Sequence, residues 1–213
     1  MFITAPTDNI TSTKDWPRHP AELLDQYATA PAANVGDVFD RLLVLDSGIR
    51  CVTSQTRLVG TALPILTRAG DNLAIHYALD DAQPGDVLVI NGQGDLSRAL
   101  IGDLIGEIMV AKGVLGAIVD GVIRDAETLS RQGLSVFARG TTPAGPFKNG
   151  PGIIGNPVAV GGVVISAGDI IVGDADGIAI IPAAHASTAP ERVNDVIAKE
   201  EGLRQRILAS TAS

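Results

Sequence analysis

The chain has 213 residues, of which 46% are hydrophobic and 19% charged, so intrinsic disorder is excluded and one domain over residues 1–213 is expected. The formal net charge of −8, without any run of Lys and Arg, argues against direct contact with nucleic acid. No apolar stretch reaches the length of a membrane helix. We therefore expect a soluble, cytoplasmic protein that binds neither nucleic acid nor a membrane.

The first half of the chain predicts helices and strands in alternation behind a loosely attached N-terminal arm. This polar arm covers residues 1 to about 20, and Trp16 is the residue expected to hold it against the body or a neighbour. The elements predicted next are helices over 21–29 and 34–43, the second capped by Asn34, a strand over 58–67, a helix over 72–79 and a strand over 87–90.

The middle of the chain contains the clearest amphipathic helix, predicted over 96–112. Gly102 and Gly106 weaken that prediction and leave open a break near Gly102 and Asp103. The elements predicted after it are a strand over 115–119, a helix over 124–132 and a strand over 136–138. Residues 141–156 are rich in Pro and Gly and predict a long loop with a function or a subunit contact.

The last third of the chain predicts short strands and then one long helix. Gly-Asp turns separate the strands, which are expected to form a meander or a barrel-like sheet over 158–160, 162–165, 170–172 and 178–181. The final helix is predicted over about 183–208, with apolar residues along one stripe and charged residues along the other. The whole pattern predicts the α/β class, with a mixed sheet and surrounding helices.

Several common kinds of catalytic site are not supported by the sequence. The single cysteine, Cys51, has no neighbouring metal ligand, and the histidines are isolated at His19, His76 and His185, so no zinc-binding pair exists. The Gly-Gln-Gly run at 92–94 has the context of a dinucleotide loop, but Ser97 occupies the third glycine position, which favours a plain turn. The Gly-x-Ser-x-Gly elbow of serine hydrolases is absent.

A Schiff-base aldolase and a calcium site are also disfavoured. The only lysines near the candidate site are Lys112 and Lys148, and neither follows a clear strand end. The acidic residues Asp169, Asp174 and Asp176 stand in a Gly-Asp-rich run that lacks the later Glu of an EF-hand loop. Turns are therefore favoured there over calcium binding.

The remaining candidate is an oxygen-only site around the adjacent Arg124 and Asp125. A buried strand leads through a glycine turn into this pair, at the sheet edge where open α/β proteins bind ligands. Asp125 is the candidate ligand of a divalent cation, Arg124 the partner of an anionic substrate, and Asp103 the holder of a metal-bound water. Mg²⁺ suits so few carboxylates because it keeps several waters. The alternative is structural, a capping Asp beside a solvated Arg.

The same residues resemble a known family. Asp103, twenty intervening residues and then Arg124-Asp125 resemble the Asp-X20-Arg-Asp signature of class II 4-hydroxy-4-methyl-2-oxoglutarate/4-carboxy-4-hydroxy-2-oxoadipate aldolases, relatives of the regulator of ribonuclease activity A. The resemblance covers nearly the whole chain, with further similar segments at 84–89, 113–121, 136–140, 157–162, 168–171, 174–177 and 181–182. One departure, which affects only a turn, is Ser166-Ala167-Gly168-Asp169, where Pro-Gly-Asp is usual.

The resemblance implies an α/β fold with a β/β/α sandwich-like core of the swivelling-domain type. It implies a homotrimer or a dimer of trimers, with active sites between subunits. It also implies a 2-oxo acid substrate bound through Mg²⁺, Mn²⁺ or another divalent cation. The implied activity is that of a lyase, with retro-aldol cleavage to pyruvate and oxaloacetate decarboxylation through a metal-stabilised enolate.

The resemblance also assigns roles to residues of this chain. Asp125 matches the direct metal ligand, Arg124 the catalytic, substrate-binding arginine, and Asp103 a catalytic carboxylate that holds a metal-bound water. The backbone at Gly102, Asp103 and Leu104 is expected to face the substrate carboxylate, as amides near a helix start can.

Two questions stay open at this point. The neighbouring subunit's C-terminal helix is expected to supply one more acidic residue to the metal through water, for which Glu200 and Glu201 are equal candidates. The alternative function is a non-catalytic regulator that binds a protein such as a ribonuclease, which the acidic surface favours. Asp103 with a C-terminal Glu favours the aldolase, because the regulators are expected to lack the complete acidic set. Methyltransfer, a label that related sequences have carried, is disfavoured because no glycine-rich cofactor loop supports it.

Overall fold

The computed structural model describes residues 9–211, which form one large sheet surrounded by helices. The strands are β1 (Ile10–Ser12), β2 (Arg50–Cys51), β3 (Leu58–Thr67), β4 (Asp86–Ala99), β5 (Gly116–Ile123), β6 (Ser135–Thr141), β7 (Gly152–Ile154), β8 (Val158–Val160), β9 (Val163–Ile165), β10 (Ile170–Asp174) and β11 (Gly177–Ile181). The α-helices are α1 (Ala21–Leu24), α2 (Ala32–Val38), α3 (Leu73–Asp81), α4 (Asp103–Lys112), α5 (Ala126–Arg131) and α6 (Ala189–Thr211). None of these helices is long and apolar enough to cross a membrane.

Nine strands form one mixed sheet in the order β1-β7-β3-β4-β5-β6-β2, with β10 paired to β3 and β11 paired to β10. The central strands β3, β4, β5 and β6 run parallel, and the helices α3, α4 and α5 connect them. Strands β8 and β9 form a separate antiparallel ribbon. Because β4 and β5 are parallel neighbours, the segments that follow their carboxyl ends meet at one edge of the sheet.

The central strands are buried on both faces, which explains their almost continuous apolar sequence. In β4, Leu88 and Ile90 belong to the core cluster that packs against α3 and α4. The alternate residues Val87 and Val89 belong to a second cluster on the other face, together with side chains of β8 and β9. A third cluster lies between α1, α2, α6 and the β10–β11 pair. These layers confirm the predicted α/β class with a β/β/α core.

Only the second part of the predicted helix over 96–112 is helical. Residues Leu96 to Ala99 continue β4, and the N–H groups of Ala99 and Leu100 donate to carbonyl oxygens of Ala144 (2.8 Å) and Val122 (2.9 Å). Pairing with neighbouring segments, which apolar spacing does not reveal, therefore overrides the helical pattern. The helix begins at Asp103, at the break that the glycines left open. Since no helix directly follows 92–94, the dinucleotide-loop context is absent.

The predicted helix over 34–43 is shorter and begins earlier. It spans Ala32–Val38 with Pro31 at the N-cap, so Asn34 lies buried inside the helix and does not cap it. Asp40 and Arg41 both have positive φ, which the helix cannot accommodate. The predicted helix over 21–29 is α1 followed by a 3-10 turn at Asp25–Tyr27.

The predicted loop over 141–156 contains β7, which pairs with β1 and β3, so part of it belongs to the sheet. The N-terminal arm is therefore attached through β1, and Trp16 packs against the core cluster that contains Leu88 and Ile90. Residues 1–8 of the arm lie outside the described residues. The final helix starts with a 3-10 turn at Ala183–His185, and α6 begins only at Ala189.

Candidate active site

The candidate site lies where β5 ends beside the beginning of α4. Arg124 directly follows β5, and its N–H donates to the carbonyl oxygen of Ile101 at 3.0 Å, which joins the two segments. Asp125 has left-handed backbone angles, φ 57° and ψ 35°, which an aspartate tolerates better than most residues. This conformation turns the chain sharply from β5 into α5 and places both side chains at the edge of the sheet.

Gly102 allows the two segments to approach each other closely. A Cβ atom at this position would lie 2.7 Å from Asp125 Oδ2 and 2.9 Å from Arg124 Nε, closer than side chains tolerate. The glycine is therefore required for space, since its φ of −154° is available to any residue.

The carboxylates of Asp103 and Asp125 are both tied to the first turn of α4. The N–H of Asp103 donates to Asp125 Oδ2 at 3.2 Å, and the N–H of Leu104 donates to Asp103 Oδ1 at 2.8 Å. The side-chain amide of Gln132 fixes the carbonyl oxygen of Asp103 at 3.2 Å. Peptide N–H groups and the positive end of the helix dipole therefore converge at this point, which favours an anion.

Arg124 forms an ion pair with Asp125, with Nε 3.2 Å from Oδ2. The side chains are 38% and 37% exposed, so solvent weakens the pair and it contributes little to stability. Arg124 lines two cavities. One has about 450 Å³ and includes Asp125 and Thr142 in its wall, and the other has about 70 Å³ and lies against the first turn of α4.

The chain offers two carboxylates to a cation at this place. Among residues 9–211, no group of three or more His, Cys, Asp or Glu side chains could hold a metal ion. In the same part of the chain, Asp125 Oδ1 and Asp103 Oδ2 accept no hydrogen bond, so each carboxylate has one oxygen open to a ligand. Such a sparse oxygen set fits Mg²⁺ or Mn²⁺, which complete their shells with water and substrate oxygens.

The smaller cavity contains a cluster of basic and polar side chains that the sequence does not predict, although it places Lys148 near the site. Lys148 Nζ lies 3.2 Å from His76 Nε2 and 3.3 Å from Asn72 Oδ1, and all three residues line the cavity together with Arg124. Burial and the charge of Lys148 lower the pKa of His76 to about 4, so its ring is neutral. Partial burial, followed by the charge of Arg124, lowers the pKa of Lys148. No motif could have indicated this cluster, since its contacts join residues 72 and 76 positions apart.

The segment that carries Lys148, residues 143–150, is fastened along its length. Arg98 Nη1 donates to the carbonyl oxygen of Gly145 at 2.9 Å and stacks on the Phe147 ring at 4.1 Å. The buried carboxylate of Asp71 accepts hydrogen bonds from the N–H groups of Asn149 (2.8 Å) and Gly150 (3.2 Å). This segment, hereafter the strap, therefore presents Lys148 from a fixed backbone.

Glu200 and Glu201 lie on the exposed C-terminal part of α6. Neither forms a hydrogen bond or an ion pair with Asp103, Arg124 or Asp125 within the described chain. Glu201 accepts hydrogen bonds from Gln205 (2.6 Å) and Arg204 (2.5 Å), which lower the pKa of its carboxyl group. Within one copy of residues 9–211, five of the predicted site residues therefore lie together, and Glu200 and Glu201 do not contact them. The five are Gly102, Asp103, Leu104, Arg124 and Asp125.

The acidic residues Asp169 and Asp174 in the last third of the chain stabilise turns. Asp169 accepts hydrogen bonds from the N–H groups of Ser166 (2.8 Å) and Ala183 (2.9 Å), and burial raises the pKa of its carboxyl group. Asp174 accepts from Ala32 (2.8 Å) and Asp176 (3.0 Å) in the same way. These contacts agree with the turn interpretation and explain why the departure at 166–169 leaves the turn intact.

Comparison with known proteins connects this geometry to a family. The sequence model of the RraA-like family, described as Aldolase/RraA, matches residues 32–180 of this chain. A curated protein from Halalkalibacterium halodurans, "Putative 4-hydroxy-4-methyl-2-oxoglutarate aldolase", is 36% identical over 195 residues, which are 90% of this chain and 93% of that protein.

Two solved structures are similar over almost their whole length. A Streptomyces coelicolor protein, described as an unusual member of the RNase ES inhibitor RraA protein family, has a TM-score of 0.78 at 27% identity and covers 89% of this chain and 100% of its own. An uncharacterized Pseudomonas syringae pv. tomato protein has a TM-score of 0.80 at 24% identity over 91% of this chain and 96% of its own, and this likeness shows the fold alone.

Proposed function

Because the chain belongs to the Aldolase/RraA family, we propose that it is a divalent-metal-dependent lyase that breaks a carbon–carbon bond of a 2-oxo acid. The observation that carries the proposal is the convergence of Asp103, Arg124 and Asp125 on the first turn of α4. The expected reactions are retro-aldol cleavage of 4-hydroxy-4-methyl-2-oxoglutarate-type substrates and decarboxylation of oxaloacetate. Both yield pyruvate, and both move an electron pair onto the keto oxygen of the same head group.

The donor set supports Mg²⁺ or Mn²⁺ as the cofactor. Asp125 would hold the cation directly and Asp103 would hold it through water, each with the carboxylate oxygen that is free in the chain. When bound, the cation supplies a positive charge beside the keto and carboxylate oxygens of the substrate.

The residues of the chain bind the substrate and stabilise the charge that develops. The substrate carboxylate would lie at the start of α4, where the positive end of the helix dipole favours an anion, although the N–H groups of Asp103 and Leu104 already donate to the carboxylates of Asp125 and Asp103. Arg124 donates to the keto oxygen, where negative charge accumulates as the bond breaks. One lost donor of this kind typically costs about 2.7 to 4 kcal/mol in the transition state.

The proposal includes a second copy of this chain. The part of α6 beyond Ile197 is exposed throughout the described residues, with apolar side chains at Leu203, Ile207 and Leu208. A helix with such a face is typical of a contact between subunits. We expect a trimer or a dimer of trimers in which this helix brings Glu200 or Glu201 to the neighbour's site.

A non-catalytic regulator is the second candidate, and the similarity to the RNase ES inhibitor family favours it. Such a protein would use its negative surface to bind a basic partner. It would have no need of Arg124 beside two carboxylates with free oxygens, and this is the observation that ranks it second.

The test is release of pyruvate from oxaloacetate and from 4-hydroxy-4-methyl-2-oxoglutarate with Mg²⁺, with a chelator, and with the Asp125→Ala variant. We expect metal-dependent release that the substitution abolishes, and the two rates rank the substrates. Asp37→Asn, which alters an exposed ion pair on α2, is the matched control and should retain activity. Release that persists in Asp125→Ala would refute the proposed site, and no release from either substrate would favour the regulator.

A further inference from the structure

Lys148 lines the cavity of about 70 Å³ together with the first turn of α4. We propose that Lys148 binds the carboxylate of the 2-oxo acid, an inference that rests on the proposed function. The carboxylate would then lie between Lys148 and the start of α4, while Arg124 faces the neighbouring keto oxygen.

Among the residues that the structure describes, the Lys148 side chain forms hydrogen bonds with neutral groups and with no carboxylate. Its ammonium donates to Asn72 Oδ1 and to His76 Nε2, and neither partner cancels its charge. The residue is exposed, so an anion from solvent can reach it. The charge of Asp71 also acts on Lys148, but that carboxylate is buried and paired with Arg68 at 2.9 Å. A positive charge that is held in place without an ion pair of its own favours an anionic ligand.

The two partners of Lys148 are themselves fixed. Asn72 is buried, and its side-chain N–H donates to the carbonyl oxygen of Leu100 at 3.0 Å, so Oδ1 faces the lysine. His76 is 8% exposed, and since Nε2 accepts from Lys148, its single ring proton lies on Nδ1. That Nδ1 has no partner among residues 9–211, which is unusual for a buried polar atom outside a ligand site.

The volumes of the two cavities suit different parts of the substrate. A volume of about 70 Å³ is roughly the volume that two molecules of liquid water occupy. The smaller cavity therefore has room for a carboxylate group but not for a whole 2-oxo acid. The adjoining cavity of about 450 Å³ has Arg124 in common with it and has room for the remainder of a 2-oxo acid. The wall of the smaller cavity contains one carboxylate, that of Asp103, against two cationic side chains and the helix start.

The experiment compares binding of pyruvate with binding of pyruvamide, its neutral amide, by titration calorimetry in the presence of Mg²⁺. In Lys148→Met, affinity for pyruvate should fall about 10- to 100-fold, as loss of a charged hydrogen bond predicts, while affinity for pyruvamide changes less than about 3-fold. Lys148→Arg should retain most of the preference for pyruvate. Lys14→Met, which removes an exposed lysine paired with Asp81, is the control and should behave like the parent.

The outcomes separate this inference from the proposed function. If the parent releases pyruvate and Lys148→Met keeps the parent's preference for pyruvate over pyruvamide, the lysine assignment is wrong and the lyase stands. If the parent releases none but binds pyruvate in a Lys148-dependent way, the assignment stands and the lyase does not. A parent that binds neither compound overturns both. A Lys148→Met protein that loses affinity for both compounds equally also contradicts a specific contact with the carboxylate.

Discussion

The N–H of Asp103 donates to Oδ2 of Asp125 across 3.2 Å, so the start of α4 and the end of β5 are joined through the two carboxylate residues of the site. One oxygen of Asp125 is thereby oriented, while the other stays open to a ligand. The separation depends on Gly102, because any Cβ there would press against Asp125 and Arg124. The arrangement is thus sensitive to a single methyl group that changes no charge.

Gly102→Ala should therefore damage the site more than the fold. The added Cβ, 2.7 Å from Asp125 Oδ2, must displace the carboxylate, and we expect Mg²⁺ affinity and pyruvate release to fall at least about 10-fold. Calorimetry and the pyruvate assay measure the two effects. The melting temperature of Gly102→Ala separates damage to the site from damage to the fold and should stay close to that of the parent. Wild-type metal affinity in Gly102→Ala would refute the steric argument.

The strap provides a prediction about stability. Asp71 is fully buried and accepts hydrogen bonds from Leu73, Asn149 and Gly150 while pairing with Arg68 at 2.9 Å. In Asp71→Asn, the side-chain NH₂ group is itself a donor and cannot accept the hydrogen bonds that the backbone N–H groups donate to the carboxylate. We therefore expect the free energy of unfolding to fall by about 2 to 3 kcal/mol. Urea denaturation measures the change.

The same substitution should also loosen Lys148, because the strap carries it, and pyruvate should bind more weakly. Asp37→Asn is the matched control, since its exposed ion pair with Arg41 contributes less than about 1 kcal/mol. An Asp71→Asn protein as stable as the control would show that the strap is not fastened by this carboxylate.

His76 should make the protein sensitive to mild acid. Its pKa is about 4 in the folded chain and about 6.5 when unfolded, so between these values the unfolded state binds more protons. Stability therefore falls as pH is lowered through this window, by at most about 3 kcal/mol. Urea denaturation at pH 7.5 and pH 4.5 should show a loss in the parent that is smaller in His76→Gln by about that amount. An equal loss in both proteins would contradict the prediction.

The sequence predicts some parts of this molecule better than others for physical reasons. The strand over 58–67 has the bounds observed for β3, because a long apolar run buried on both faces is a strong signal. The spacing of residues 96–99 alone predicts a helix, whereas the structure pairs them with distant segments. Tertiary hydrogen bonds of that kind are invisible to periodicity.

The candidate site shows the same division. The position of Arg124 and Asp125 after a buried strand predicts a site there, the family signature adds Asp103, and the structure brings the three residues together. The sequence indicates Lys148 near the site but not its contact with His76, since the strap that carries the lysine is 72 positions away along the chain. The roles of all these residues remain predictions.

The two glutamates of α6 can be told apart by their contacts. The side chain of Glu201 accepts hydrogen bonds from Arg204 and Gln205, whereas the side chain of Glu200 forms no hydrogen bond or ion pair among the described residues. Glu200 is thus the freer carboxylate, and Glu200→Gln should reduce pyruvate release at least about 10-fold while Glu201→Gln changes it less than about 3-fold. The two variants differ by one position on the same exposed helix, so each controls for the other. The reverse order of effects would assign the role to Glu201.

Mixing two inactive variants tests whether the glutamate acts across a subunit boundary. Asp125→Asn supplies intact Glu200, and Glu200→Gln supplies intact Asp125. After unfolding and refolding together in equal amounts, about a quarter of the sites should combine both intact residues if they come from different chains. Pyruvate release should then return to about that fraction of the parent's rate, with light scattering to verify that oligomers have formed. Mixed oligomers that stay inactive would mean that Glu200 completes no neighbouring site, and α6 would then serve assembly alone.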